Sequence, residues 1–321
     1  MRQPLPVGVI GVGHLGRHHA RIYSTLASVT LVGISDTDVS RGRDLADEFK
    51  TVFYSNPADL LARVEAVSVA VPTSVHFPVV QACLNQNCHV LVEKPITSEA
   101  SEGEHLVQLA KDKGMILHVG HVERFNPILE QVRPAIRRPS FIECHRLSPF
   151  QPRGTDVDVV RDLMIHDLDL ILSLGLGGTI QIEARGLPIY TEHPDIANVR
   201  MVFESGCLVN LTASRISTGR LRKLRIYQRD CYISVDLGTK EGVINTCHVS
   251  ESGVREIQSQ KISGTDGDAL TRELDCFVQA ILGGAPANGV SGQEGVDALR
   301  MASHIMSLIH QSVMERPSSI H

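Results

Sequence analysis

The chain has 321 residues, a formal net charge of −5 and 21% charged residues, with few aromatics and no Trp. That length suggests two domains, at about 100–200 residues each. The ordinary composition, mild negative charge and absence of a long basic run point to a soluble globular protein and away from nucleic acid as a partner.

A short apolar strand, Val7 to Ile10, runs into Gly11-Val12-Gly13-His14-Leu15-Gly16, and an amphipathic helix is predicted from Arg17 to Leu26. In a G-x-G-x-x-G turn the first glycine permits the tight bend and the second lets the backbone approach a pyrophosphate. The third lets helix and strand pack closely, while the helix N-terminus offers unpaired N–H groups to the anion. A second strand, Thr30 to Ser35, ends in Asp36, about 20 residues after the glycines. A carboxylate there accepts from adenosine ribose hydroxyls and repels a 2′-phosphate, and Thr37 follows where an NADP site often has Arg. The expected cofactor is therefore NAD, although Arg41 and Arg43 lie close enough in sequence to soften that preference. A helix from Ser40 to Phe49, a helix start at Ser55-Asn56-Pro57, and a doubly apolar strand from Ala66 to Val71 come next. Pro72-Thr73-Ser74 then opens a helix through Leu84. The strand His89 to Val92 stops at Glu93-Lys94-Pro95, a helix runs from Ser98 to Lys113, Gly114 ends it, and Met115 to Val119 forms another strand. This alternation predicts a doubly wound parallel sheet of the Rossmann type over residues 1–121.

Past Gly120-His121 the pattern changes. A helix is expected near Asn126 to Ile136, then strands at Phe141–Leu147, Ile180–Leu187, Ala197–Phe203, Cys207–Ile216, Arg222–Tyr227 and Tyr232–Asp236. One helix, about Val157 to Ser173, interrupts them, and two more close the chain at Asp268–Leu282 and Gln293–Met314. Residues 122–321 thus read as an α+β domain with an open, mostly antiparallel sheet, whose last helix is placed to pack back on the first domain. An open sheet with one bare face usually buries it against a partner, so a homodimer or homotetramer is expected. The densest basic patch, Arg220-Leu221-Arg222-Lys223-Leu224-Arg225, reads as a solvated strand edge or subunit contact, with an anionic substrate group as the alternative. The seven cysteines are scattered, with no C-x-x-C pair, so neither a zinc site nor a disulfide framework is indicated. With no signal-peptide pattern after Met1 and no apolar run that spans a bilayer, a cytoplasmic protein without membrane association is expected.

Ligands bind at the carboxyl ends of parallel strands. Three segments lie there besides the glycine turn: Val71-Pro72-Thr73 with His76, Glu93-Lys94-Pro95, and Gly120 to Pro127, which contains His121, Arg124 and Asn126. A lysine beside a nicotinamide pocket can bind a substrate hydroxyl and stabilise its developing alkoxide; a solvated Lys94, or one paired with Glu93, is the plainer alternative. In the second domain Asp162 and His166 are four residues apart and Asp169 three further on, which puts all three on one helix face. A carboxylate one turn from an imidazole orients it as a general base. An ordinary charged face, or a divalent metal held by two carboxylates and a histidine, fits the same spacing. His18 and His19 read as structural or solvated, and only His121 among the remaining histidines has a claim on the site.

Together, the Gly11–Gly16 turn, Val71-Pro72-Thr73 with His76, Glu93-Lys94-Pro95, and Asp162-x-x-x-His166 with Asp169 resemble the Gfo/Idh/MocA oxidoreductase family over essentially the whole chain. The resemblance implies hydride transfer between NAD and a ring hydroxyl of a sugar or cyclitol, with no metal. It places Lys94, Asp162 and His166 on the family's catalytic positions. The run Asp156-Val157-Asp158-Val159-Val160-Arg161 departs from the glycine-rich stretch common there, and with Gly120–Pro127 and Ala213–Ser217 it is similar to a narrower subgroup acting on nucleotide sugars. That likeness would make Arg124, Arg153 and Arg215 diphosphate contacts, Arg being suited to bidentate phosphate recognition, and adds Asn126 to the substrate set. The rival readings are an inositol or free-sugar dehydrogenase and a non-catalytic dinucleotide-sensing regulator.

Overall fold

The computed structural model describes residues 3–151, 157–250, 253–265, 267–283 and 289–314. The chain divides into two units, 1–122 with 268–299 and 123–267 with 300–321.

In chain order the first unit contains β1 (Leu5–Ile10), α1 (His14–Tyr23), β2 (Val29–Ser35), α2 (Val39–Glu48), β3 (Val52–Tyr54) and α3 (Pro57–Leu61). It continues with β4 (Ala66–Val69), α4 (His76–Asn85), β5 (His89–Glu93), α5 (Ala100–Lys113) and β6 (Leu117–Gly120). The six strands lie in the order β3-β2-β1-β4-β5-β6, and every neighbouring pair is parallel. β4 is buried along its whole length, as a sheet clothed by helices on both faces requires. Its polar residue, Ser68, is satisfied by the Tyr23 hydroxyl at 2.9 Å. The strand order reverses between β1 and β4, the point at which such sheets open a crevice beyond their carboxyl ends.

The second unit holds α6 (Pro127–Val132), β7 (Pro139–Leu147), α7 (Ile165–Leu172), β8 (Thr179–Leu187), β9 (Ile196–Phe203) and β10 (Leu208–Ser214). β11 (Leu221–Gln228), β12 (Cys231–Asp236), β13 (Glu241–Val249) and β14 (Arg255–Ser263) complete its sheet, ordered β14-β13-β12-β11-β7-β10-β9-β8. The β7–β10 pair is parallel and the remaining pairs are antiparallel. The chain ends with α8 (Ala269–Ile281) and α9 (Gly292–Met314). α8 belongs to the first unit, where Leu274, Phe277 and Val278 pack with Leu5, Val7 and Ala20. The second domain expected over 122–321 is thus interrupted by residues 268–299.

Three strands and two helix details differ from expectation. β3 and the edge pair β13 and β14 carry little apolar alternation; β14 is exposed at nearly every position. The helix expected near 126–136 ends at Val132, followed by a tight turn over Arg133–Ala135 containing Pro134, which has no N–H to continue it. The helix expected over 157–173 opens with a wide π-type turn, Val160–Met164, before α7 begins.

One face of the second sheet is covered: Met164, Leu168 and Ile171, with Ile305 and Ile309 of α9, pack on inward residues such as Ile142, Val199 and Leu211. The other face carries polar side chains, among them Glu143, His145, Arg200 and Thr212, around a shallow cleft of about 400 Å³. Among the described residues no helix is long and apolar enough to cross a membrane.

Beneath the covered face lies a buried ionic cluster. Arg146 donates to Asp167 at 3.0 and 2.7 Å and to Glu123 at 2.8 Å, and Arg222 adds a bond to Glu123 at 3.2 Å. Burial works against the Glu123 carboxylate, but Arg146, Arg222 and Asn126 outweigh it and hold the group below its usual range. Removing the shared cation takes the bidentate partner from buried Asp167 and leaves Glu123 with Arg222 and Asn126, so Arg146→Ala should destabilise the second unit by about 3–5 kcal/mol in urea unfolding. Because folding lowers the Glu123 pKa, its contribution is full above the ordinary carboxylate range and is lost as pH falls through the depressed value. Glu123→Gln should therefore flatten the acid limb of the stability profile.

Candidate active site

The cradle in the first unit is built from backbone. Gly11 turns with φ of +83°, and a Cβ on it would meet the Ala70 carbonyl oxygen at 2.7 Å. A Cβ on Gly16 would lie 1.8 Å from the Gly11 carbonyl oxygen, so α1 can approach the turn this closely only with glycine there. A Cβ on Gly13 would meet nothing within 4 Å. That open space borders a cavity of about 740 Å³ whose wall includes Gly11, Gly13, Asp36, Thr37, Val71 and Pro72. His14 and Leu15, in the first turn of α1, line it as well. Three glycines performing these three separate tasks at a helix N-terminus fit a dinucleotide pyrophosphate.

Asp36 locks the turn to the end of β2. Its Oδ2 accepts from the Val12 amide at 2.7 Å, and its Oδ1 accepts from the Asp38 amide and the Arg41 guanidinium, each at 2.8 Å. Partial burial disfavours the charge, but the bonds from Asp38, Val12 and Arg41 win and hold the carboxyl below its usual range. Two of those donors are backbone, so the negative charge stays in place whatever the half-exposed Arg41 does. A ribose 2′-hydroxyl suits that charge and a 2′-phosphate does not.

Lys94 follows β5 directly and is joined to Pro95 by a cis peptide. Glu93, before it, is buried; it accepts from His19 Nε2 at 3.0 Å and from the Lys94 amide at 3.3 Å. Burial opposes the Glu93 charge, yet His19 and Lys94 keep its pKa below the usual carboxylate value. His76 is 1% exposed and points inward, with Nδ1 2.9 Å from the Pro95 carbonyl and Nε2 2.9 Å from the Val71 carbonyl. Burial lowers the His76 pKa against the pull of those carbonyls and Glu93. Glu93 and His76, expected beside the cofactor, do not line the cavity; both are committed to protein partners. Thr73 opens the short turn Thr73–Val75, and its carbonyl accepts from the Ser98 hydroxyl at 3.5 Å. His121 is buried at the end of β6.

In the second unit Asp162 lies in the π-type turn and His166 in the first turn of α7, both partly buried. Asp158, missed in the sequence, caps this segment: its Oδ1 accepts from the Val160 amide at 3.0 Å and the Arg161 amide at 2.8 Å. Asp-x-x ahead of an apolar run was the available signal. His166 and Asp169 lie three residues apart in α7, and the π-type turn alters the helical spacing from Asp162 to His166. Asp169 is 1% exposed and holds Arg124 through a bidentate pair, both bonds 2.8 Å. Asn126 caps α6 and donates to Glu123 at 3.1 Å and to the Leu237 carbonyl at 2.8 Å. Arg215, 5% exposed, donates to Asp195 at 2.8 Å, Thr191 at 2.9 Å and the Val157 carbonyl at 2.6 Å. Asn126 and Arg215 therefore spend their polar atoms on the fold. Arg153 lies outside the described residues. Among the described residues no group of three or more His, Cys, Asp or Glu side chains is placed to hold a metal ion.

Residues 5–121 match the family described as oxidoreductase family, NAD-binding Rossmann fold. The UDP-N-acetylglucosamine 3-dehydrogenase of Acidithiobacillus ferrooxidans is 36% identical over 295 residues, covering 89% of this chain and 92% of that protein. A solved structure of that dehydrogenase superimposes with a TM-score of 0.90 at 33% identity, covering 97% of this chain and 99% of the other. A myo-inositol 2-dehydrogenase of Thermotoga maritima is 25% identical over 91% of this chain and 92% of its own length.

Gly13→Val should fold with an unchanged melting temperature, since its side chain enters open space, yet weaken NAD by about tenfold or more in calorimetric titration. Gly16→Val should fail to fold. Asp36→Ser should shift the ratio of NAD to NADP affinity towards NADP by about tenfold.

Proposed function

From the premise that the chain belongs to the Gfo/Idh/MocA oxidoreductase family, we propose that it oxidises a ring hydroxyl of a nucleotide sugar, UDP-N-acetylglucosamine at C3. The observation that carries this reading is the 36% identity to the Acidithiobacillus ferrooxidans dehydrogenase over 89% of this chain. NAD, when bound, supplies the hydride acceptor. Lys94 and His166 divide the remaining work: one removes the hydroxyl proton, and the other binds the oxygen and stabilises its negative charge. Asp162 orients the His166 imidazole. Arg124 acts indirectly, by fixing Asp169 and with it the helix that carries His166. The enzyme works in the cytoplasm as a homodimer or homotetramer, burying the polar face of the second sheet against another copy; the alternation of Glu143, Arg200 and Glu183 on that face suits a self-complementary contact.

Incubation with NAD and UDP-N-acetylglucosamine should raise absorbance at 340 nm and yield a sugar nucleotide lighter by two hydrogens, with NMR placing the carbonyl at C3. Turnover with myo-inositol and none with the nucleotide sugar would instead support the inositol dehydrogenase reading, which the Thermotoga maritima relative motivates. Silence on a panel of sugars and cyclitols, with NAD still bound, would leave a dinucleotide sensor. Lys94→Ala and His166→Ala should each lower kcat by about 10²–10⁴-fold while NAD affinity changes little. In sedimentation velocity at micromolar concentration the protein should migrate as a dimer or tetramer, and a monomer peak would refute the assembly.

A further inference from the structure

His19, which reads as structural or solvated in the sequence, and His76, which is expected beside the cofactor, meet the residues on either side of Lys94. His19 is fully buried in α1 and bonds Glu93, the residue before the lysine, at 3.0 Å. The second oxygen of the Glu93 carboxylate accepts from the Lys94 amide itself at 3.3 Å. His76, in the first turn of α4, reaches the carbonyl of Pro95, the residue after the lysine, at 2.9 Å. Its other ring nitrogen lies 2.9 Å from the carbonyl of Val71, which lines the dinucleotide cavity. A neutral ring donates to only one of those carbonyls, so the hydrogen bond to Pro95 belongs to the tautomer with its proton on Nδ1. Room for the Glu93 carboxylate comes from Gly120: a Cβ there would sit 3.1 Å from it.

We propose that His19 and His76 are positioning residues for Lys94. α1 begins in the glycine turn and α4 follows the wall residues Val71 and Pro72, so the two elements next to the cofactor cradle also hold both flanks of the lysine. Neither histidine lines the cavity, and both act through the backbone around Lys94. The geometry of a charge-stabilising group matters steeply, since a misplacement of about 1 Å can cost on the order of 10²-fold in rate.

The inference rests on Lys94 acting in the proposed reaction, so the test has one readout that depends on turnover and one that does not. His19→Leu and His76→Phe keep an apolar side chain of similar bulk and lose the ring N–H; His19→Gln keeps a donor for Glu93. Per folded enzyme, His19→Leu and His76→Phe should lower kcat by about 10–100-fold with a much smaller change in KM for NAD, and His19→Gln should recover most of the loss. The second readout is the rate of reductive methylation of Lys94, followed by mass spectrometry on the intact protein in its native fold. That rate should shift several-fold in His19→Leu and His76→Phe and return towards wild type in His19→Gln. Wild-type kcat and wild-type Lys94 labelling in both variants overturn the proposal. Labelling that shifts in an enzyme silent on every sugar keeps the positioning role and discards the proposed substrate instead.

Discussion

A charge taken out of water has to find a partner, and that constraint decides which polar residues of this protein are available for chemistry. Glu93 finds His19, Asp167 and Glu123 share Arg146, Asp169 takes Arg124, and Asp195 takes Arg215 with three backbone amides. The pairs of Glu93, Arg124 and Arg215 occupy residues that look, in the sequence, like candidates for substrate or cofactor. Arg215 is the clearest case. An arginine in a nucleotide-sugar enzyme invites a phosphate contact, yet its guanidinium is nine-tenths enclosed and bonded on three sides.

The parts legible in the sequence are those in which local chemistry dictates geometry. The glycines of the first turn are required by contacts as close as 1.8 Å, within ten residues of one another. Asp36 sits at a strand end where only the parallel-sheet pattern had to be right. The buried strands of the first sheet announce themselves as apolar runs, because both of their faces are covered. β13 and β14 carry no such mark, since an exposed edge has no core to bury. The return of α8 to the first unit was equally hidden: its apolar stripe shows that it packs, and nothing local shows against what.

The same distinction separates the histidines. His14 borders the cavity because it lies in the glycine turn, a local fact. His19 and His76 matter through partners 74 and 19 residues away, which no spacing rule reaches. The π-type turn at Val160–Met164 has a comparable effect on Asp162, His166 and Asp169. Helical spacing puts the three on one face; the widened turn ahead of α7 changes the spacing from Asp162 to His166, while Asp169, three residues further on in α7, is paired with Arg124.

Cofactor recognition and substrate recognition therefore rest on different material. The dinucleotide cradle is made of backbone groups, a cavity wall and one carboxylate fixed by two amides, and backbone geometry tolerates few sequences. Such a site is conveyed by a short motif. On the second unit the pairs Arg124–Asp169, Arg146–Asp167 and Arg215–Asp195 neutralise one another within the fold. Asp162 and His166, the residues proposed to act on the substrate, are partly buried on that unit. A fold of this kind hosts different substrates by changes at the site, and the relatives of this chain accordingly carry the names of inositol and of nucleotide-sugar dehydrogenases.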